Sequence, residues 1–285
     1  MSISLNLISL VFRILPRQIT LFFGKVLGSL IYYLIPLRYN VALKNIKLSF
    51  PDKTPTELKM LLKKTYKHFG IVLTDFLRQS NLNKDNISNY VIMDDETKNT
   101  LDRLDGGIIM TGHLGNWEII LPKLGLNNYP FVVVTQTQTN ANSQSFFNKI
   151  RNFPNISLIP KNGSRKKMLL ALEENKFLGL ASDQNAGKYG IKIPFFKIPA
   201  SIPKGAALFH LKTSMPIIIG FCILSRDMKY SLCLREMDLS EIPKDKDNAI
   251  KAINSYFTSE LEKNIIKYPE QYFWFHRKWE KAQYA

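Results

Sequence analysis

From about Tyr90 to the carboxyl terminus, short β-branched runs alternate with amphipathic stretches of helical period, and this alternation restricts the chain to a layered α/β fold. The expected strands are residues 108–111, 131–135, 157–159, 177–182, 191–195, 216–224 and 230–235. Helices are expected near 116–124, 143–153, 164–175 and 203–212, with a long one from Asp247 to about Lys267. Ahead of this region, Leu58, Leu61, Leu62, Tyr66, Phe69, Val72, Leu73 and Phe76 recur at helical spacing. A turn between Pro51 and Pro55 divides that basic stretch into two helices, with Thr54 or Thr56 available as a cap and Glu57 in the first turn. No internal repeat or low-complexity linker interrupts the chain. The expected organisation is a hydrophobic segment at 1–36 followed by one catalytic domain at 37–285, helical over 37–85 and α/β over 90–285.

The segment LNLISLVFRILPRQITLFFGKVLGSLIYYLIP calls for a membrane reading. Residues 19–36 have the length of a short spanning helix against ~30 Å of hydrocarbon, but Lys25 falls at its middle. A central lysine costs about 2.5–3.5 kcal/mol on insertion scales. Arg13, Arg17 and Lys25 suit a helix lying in the interface with its cations toward phosphates at least as well. A core helix pair broken at Pro16 is the third reading; membrane contact is the expectation, spanning or flat. No small-x-small site precedes the next charged segment, so a cleaved signal is not expected.

The chain carries 39 Lys and Arg against 23 Asp and Glu, a formal charge of +16, which favours a polyanionic partner. Its aromatic residues sit in apolar runs rather than on a basic platform, which disfavours nucleic acid. Cys222 and Cys233 fall in strand-like stretches and are expected as buried, reduced thiols. Four scattered histidines (His68, His113, His210 and His276) without C-x-x-C or H-E-x-x-H give no reason to expect a metal.

The chemistry concentrates in GGIIMTGHLGNWEII. A buried strand runs into a glycine-flanked turn holding His113, and a helix is expected from about Asn116; active sites of α/β sheets lie beyond such strand ends. Gly112 and Gly115 would let the backbone approach a ligand, and N–H groups at the helix start would receive developing negative charge. On one continuous helix His113 and Glu118 would project about 140° apart. They meet only if His113 precedes the helix; Glu118 would then hold one ring nitrogen and leave the other to take a proton from an alcohol. No G-x-S-x-G occurs, so direct attack by an acceptor hydroxyl is favoured over an acyl-enzyme. The bland alternative is a surface histidine beside a helix-start glutamate.

At these residues the sequence resembles the bacterial lipid A biosynthesis acyltransferases. GHLGNWE matches their H-x-x-x-x-(D/E) block, and NVALKNIKLSFPDKTPTEL is similar to their Asn-x-x-x-x-Phe-Pro segment. ASDQNAG and IPFFKIPASIPKGAALFHLKTSMPIIIGF resemble further blocks, and PEQYFWFHRKWE their carboxyl-terminal signature, so the resemblance spans nearly the whole chain. It implies a glycerolipid-acyltransferase-like central sheet flanked by helices, an acyl-carrier-protein thioester as donor and no further cofactor. The implied acceptor is a 3-hydroxyacyl group on a phosphorylated, Kdo-bearing lipid A precursor, acylated at the cytoplasmic side of the bacterial inner membrane. The expected partners are thus acyl carrier protein, that glycolipid and membrane lipids. Carried over by position, His113 is the general base, Glu118 its partner, Arg151 a cation over the thioester or a phosphate, and Asp183 a polar anchor. Gly115, Asn116, Arg165, Gln184 and Lys188 are the expected substrate contacts, although lysine-rich loops are commonly plain solvated surface. His276 and Arg277, between Trp274 and Trp279, read as a structural clamp. Two departures, Lys197 where the family often has glycine and SIPKG at the next helix start, bear on the acceptor. A glycerophospholipid acyltransferase of the same chemistry and an inactive membrane-binding scaffold are the competing readings.

Overall fold

The computed structural model describes residues 2 to 284. Four helices lead: α1 (Ser2–Ile14), α2 (Arg17–Leu34), α3 (Tyr39–Ser49) and α4 (Pro55–Leu77). Pro16 separates the first two, since its ring fixes φ for a helix start and removes the N–H that would continue α1. Thr54 caps α4: its hydroxyl accepts from the Glu57 N–H, and the Glu57 carboxylate accepts from the Thr54 N–H at 2.8 Å. The two backbone and side-chain hydrogen bonds from Thr54 hold the Glu57 carboxyl below its ordinary value.

Helices α2 and α4 cross at glycine. A Cβ on Gly70 would lie 2.0 Å from the Gly24 carbonyl oxygen, and one on Gly28 would lie 2.2 Å from that of Tyr66. The side of α2 turned inward is accordingly mostly small or polar, with Thr20, Gly24 and Gly28 buried beside Leu21, while Phe22, Phe23, Leu30, Tyr33 and Leu34 face out. Arg17 forms an ion pair with buried Asp75 of α4 at 3.0 Å, and Arg13 donates to the Asn81 side chain at 2.7 Å. This corrects the expectation that both arginines point to lipid phosphates: Arg17 is paired with a carboxylate and Arg13 is hydrogen-bonded within the protein, and of the three expected cations only Lys25 is exposed. Among the described residues no single helix is long and apolar enough to cross a membrane; α2 and α3 together reach the length but are bent by 100°.

The rest of the chain builds a seven-stranded sheet. Its strands are β1 (Val91–Met93), β2 (Gly107–Thr111), β3 (Phe131–Thr135), β4 (Ile156–Pro160), β5 (Phe177–Ala181), β8 (Ile217–Leu224) and β9 (Tyr230–Glu236). A separate antiparallel hairpin holds β6 (Ile191–Phe195) and β7 (Ile198–Ile202). The sheet order is β1-β9-β8-β2-β5-β3-β4, parallel throughout except between β8 and β9. All seven expected strands are present to within about two residues; β1 and β7 are additional, the first only three residues long and the second containing Pro199. Central strands bury both faces. Ile108 and Met110 of β2 join the core formed with α9 (Gly205–Thr213) and α10 (Lys246–Lys267). Ile109 joins the opposite core with α5 (Asp95–Arg103) and α6 (Ile120–Leu126).

Cys222 is buried as expected, but Cys233 is exposed, because β9 alternates Tyr230, Leu232 and Leu234 inward with Cys233 outward. Phe196 and Lys197 form the turn between β6 and β7 with φ of 48° and 64°, a backbone conformation glycine adopts at least cost. The glycine-to-lysine departure is thus a turn substitution.

Close crossing of α2 and α4 generates a prediction. Gly70→Leu should lower stability by about 1–3 kcal/mol through overpacking, whereas Gly205→Ala, with nothing within 4 Å of the added Cβ, should leave the melting temperature unchanged or slightly higher. Thermal unfolding of the two variants checks this.

Candidate active site

The register of β2 against β5 makes the site. Thr111 pairs with Ala181 in parallel, so the residues two positions past each strand end, His113 and Asp183, emerge side by side at the carboxyl edge of the sheet. Gly112 permits the approach, since a Cβ there would lie 3.1 Å from the Asp183 Cβ. The His113 N–H donates to Asp183 Oδ2 at 3.0 Å, and its Nδ1 lies 2.8 Å from Asp183 Oδ1. With the carboxylate ionised, Nδ1 carries the proton and donates, and Nε2 keeps its lone pair. Asp183 is 1% exposed. Burial alone would raise its carboxyl pKa, but the charge and hydrogen bonds of His113 together with the charge of Lys278 hold it at about 2. For His113, burial opposes protonation, yet the Asp183 charge and hydrogen bond, helped by the Glu118 charge, raise its pKa above the ordinary value. Trp117 packs edge-on to the ring at 4.6 Å, Phe273 flanks it at 6.0 Å, and Gln184 Nε2 lies 3.4 Å from both ring nitrogens.

The ring nitrogen expected to meet Glu118 therefore meets Asp183. Glu118 instead takes Arg151 in a two-point pair, Nε to Oε2 at 2.8 Å and Nη2 to Oε1 at 2.6 Å. Arg151, just past α7 (Ala141–Ile150), lies against the packed rings of Phe76 and Phe147, each 5.5 Å from its guanidinium carbon. The displacement has a local cause. The helix expected from Asn116 begins only at Ile120, because the Asn116 side chain accepts from the N–H groups of Glu118 and Ile119 at 3.2 and 3.3 Å and keeps residues 116–119 as a turn.

Two expected substrate contacts are scaffold. Gly115 has φ of 69°, and an added Cβ would lie 1.9 Å from the Cys222 carbonyl oxygen; its N–H donates to the Gln271 carbonyl at 2.9 Å. The Gly115 carbonyl accepts from His68 Nε2 at 3.3 Å, and burial keeps that imidazole neutral by lowering its pKa to about 4. Asn116 is fully buried, so neither residue meets a ligand through its side chain. Much of the expected helix-start oxyanion site is spent within the protein: the N–H groups of His113, Leu114, Gly115, Asn116, Glu118 and Ile119 have protein acceptors. Arg165 and Lys188 are exposed and do not line the cavity at His113, whereas Gln184 does reach the histidine ring.

That cavity holds about 230 Å³. Its polar wall is Thr111, His113, Glu118, Gln136, Gln138 and Arg151; its apolar wall includes Ile109, Ile120, Leu121, Phe131 and Val133. The Thr111 hydroxyl oxygen is buried and has no hydrogen-bond partner. A larger hollow of about 830 Å³ lies between β8, β9 and α10, but it contains neither His113 nor Asp183 and is set aside as the reaction site.

Sequence reasoning missed Lys278, which is 3% exposed and donates from Nζ to the Asp183 carbonyl, and His68 behind the turn. Trp274 and Trp279 are each 1% exposed, and His276 Nε2 accepts from the Asn185 N–H at 3.2 Å, so this stretch clamps the β5 loop. Asn45 binds the clamp from α3, donating to the carbonyls of Trp274 and His276 at 2.6 and 2.7 Å.

Residues 3–281 match the family model described as bacterial lipid A biosynthesis acyltransferase. The chain is 22% identical over 275 residues to the lipid A biosynthesis palmitoleoyltransferase of Escherichia coli K12, covering 93% of this chain and 86% of that protein. The same figures hold for a lipid A biosynthesis acyltransferase of Shigella flexneri. A phosphatidylinositol mannoside acyltransferase of Mycolicibacterium smegmatis is 22% identical over 193 residues, 66% of this chain and 62% of that protein. With the match running from the first helix to the aromatic clamp, the chain belongs to the bacterial lipid A biosynthesis acyltransferase family and is an acyltransferase.

Proposed function

We propose that this acyltransferase moves a fatty acyl chain from an acyl-carrier-protein thioester to the hydroxyl of a 3-hydroxyacyl group on a phosphorylated lipid A precursor. The observation that carries the reading is the His113–Asp183 pair, its Nδ1 fixed by the carboxylate, on the wall of a half-apolar cavity. The acyl chain lies along Ile109, Leu121, Phe131 and Val133, and the thioester carbonyl sits at the polar wall. His113 Nε2 takes the acceptor O–H proton as the oxygen attacks the carbonyl carbon. Negative charge develops on the carbonyl oxygen. With most backbone N–H groups of the turn occupied, side chains answer it: the Arg151 guanidinium and the unpartnered Thr111 hydroxyl. When the C–S bond breaks, the imidazolium returns its proton to the departing thiolate, leaving an ester and a free thiol. Glu118 serves by holding Arg151 at the cavity.

The leading helices support a second part of the proposal, attachment to the cytoplasmic side of the bacterial inner membrane. Small and polar residues of α2 face the protein, while Leu7, Leu10, Val11 and Ile14 of α1 and Phe22, Phe23, Val26 and Leu34 of α2 are exposed, the reverse of a water-facing surface. A charge of +16 suits anionic lipid, a phosphorylated acceptor and an acidic carrier protein alike.

Five results test this. His113→Ala should lower acyl transfer by about 10²–10⁴-fold, the usual yield of general-base catalysis, while the protein stays folded; near-normal transfer would sink the mechanism. The assay should offer both lipid A precursor and phosphatidylinositol mannoside as acceptors, and product only from the latter would overturn the proposed acceptor. The base must be neutral, so kcat should fall as pH drops through the raised His113 pKa, placing the acid limb above the ordinary ~6.5. Asp183→Asn should move that limb to lower pH. Replacing exposed Phe22 and Phe23 together by Asp should abolish sedimentation with anionic vesicles without changing the melting temperature.

A further inference from the structure

Lys278 occupies a place that would ordinarily be filled by a leucine or methionine. It is 3% exposed, its Nζ stands 4.4 Å from the centre of the Phe195 ring, and taking an ammonium out of water is costly unless its charge is answered. Among the described groups, two carboxylates answer it: Asp183, from the loop after β5, and Glu262, from α10. Glu262 is itself half-buried and accepts the Phe196 N–H at 2.8 Å. From the carboxyl-terminal segment the Tyr284 hydroxyl accepts the Lys278 N–H at 2.8 Å, and His276 is held toward neutrality chiefly by burial, with the Lys278 charge adding to it. Across Asp183 lie His113 and Tyr272; burial and the neighbouring Asp183 charge hold the Tyr272 hydroxyl well above its usual range.

The hydrogen-bond pattern is selective. The two carboxylate oxygens of Asp183 each meet His113, one at its N–H and one at Nδ1, and the Tyr272 hydroxyl lies against the same carboxylate. Lys278 does not compete for them; its proton goes to the main-chain carbonyl of Asp183. It therefore ties down the backbone that carries the carboxylate and places a positive charge behind it, while the His113 contacts remain whole. A neutral side chain of similar length would fill the space and supply neither effect.

We propose that Lys278 is a positioning residue for acyl transfer, holding the Asp183 main chain and keeping its carboxylate ionised so that Nδ1 of His113 stays protonated and Nε2 stays free to take the acceptor proton. Burial brings the ammonium down to about 8, so its loss falls within reach of an assay. This rests on His113 acting as the base.

The test is the pH profile of kcat for acyl transfer in the full-length wild type, Lys278→Met and Lys278→Arg, with His113→Ala alongside. Lys278→Met should lower kcat about tenfold or more with KM little changed, a loss confined to the transition state. Wild type should lose kcat above about pH 8, where Lys278 gives up its proton. Lys278→Arg should recover most of the lost kcat and carry it to higher pH, since a guanidinium does not deprotonate in this range. A packing role would not move that alkaline limb. The inference is overturned if folded Lys278→Met keeps wild-type kcat across the range, or if the limbs of wild type and Lys278→Arg coincide; should the Met variant not fold, the second comparison decides alone. Transfer by His113→Ala would instead overturn the base mechanism, which separates the two failures.

Discussion

The hydrogen bond between His113 Nδ1 and Asp183 is the constraint around which the rest of the site is arranged. It spans two neighbouring parallel strands, and it exists because Thr111 and Ala181 are in register. A shift of one residue in that pairing would part the two groups and turn the strand's core side chains to the wrong face. The core on both sides of β2 therefore holds the register that chemistry requires: Ile108 and Met110 are locked against one helical layer and Ile109 against the other. Gly112 removes the one side chain that would keep Asp183 away.

Buried polar groups give the site its rigidity. Asp183, His68, Asn116 and Lys278 are all at least nine-tenths buried, and each is tied to main chain of the two strand-end loops or of the turn beside them. Such groups are costly unless satisfied and specific when they are. Most backbone donors of the turn are likewise spent on the protein, so the turn orients the imidazole, and the proposed mechanism assigns stabilisation of the reacting oxygen to side chains on the cavity wall. This division follows from the closed hydrogen bonds of residues 113–116, 118 and 119 rather than from the glycines that flank them.

Much of the fold was legible because alternation and apolar runs are local properties. The strand around Ile108–Met110, the Thr54–Glu57 cap and the long final helix each declare themselves within a short window. His113 was legible for the same reason, as the histidine of a glycine-flanked strand end. Its partner was not. Glu118 is five residues away and Asp183 seventy, and only strand register brings the distant one closer. The parallel signal was nevertheless present: Asp183 follows a buried strand just as His113 does. The Arg13 hydrogen bond and the Arg17 ion pair were hidden likewise, because Asn81 and Asp75 lie far along the chain, and without them the cations looked free for lipid. Family resemblance located the blocks without saying which side chains meet.

The central claim is that Asp183, not Glu118, sets the protonation state of the His113 imidazole. Nitrogen NMR of the His113 ring, followed through a pH titration of wild type, Glu118→Gln and Asp183→Asn, reads this directly. The account requires a proton on Nδ1 in wild type and Glu118→Gln, with a wild-type ring pKa above the ordinary imidazole value, and loss of the fixed tautomer with a lowered ring pKa in Asp183→Asn. An Nδ1 proton that survives in Asp183→Asn and vanishes in Glu118→Gln would contradict it.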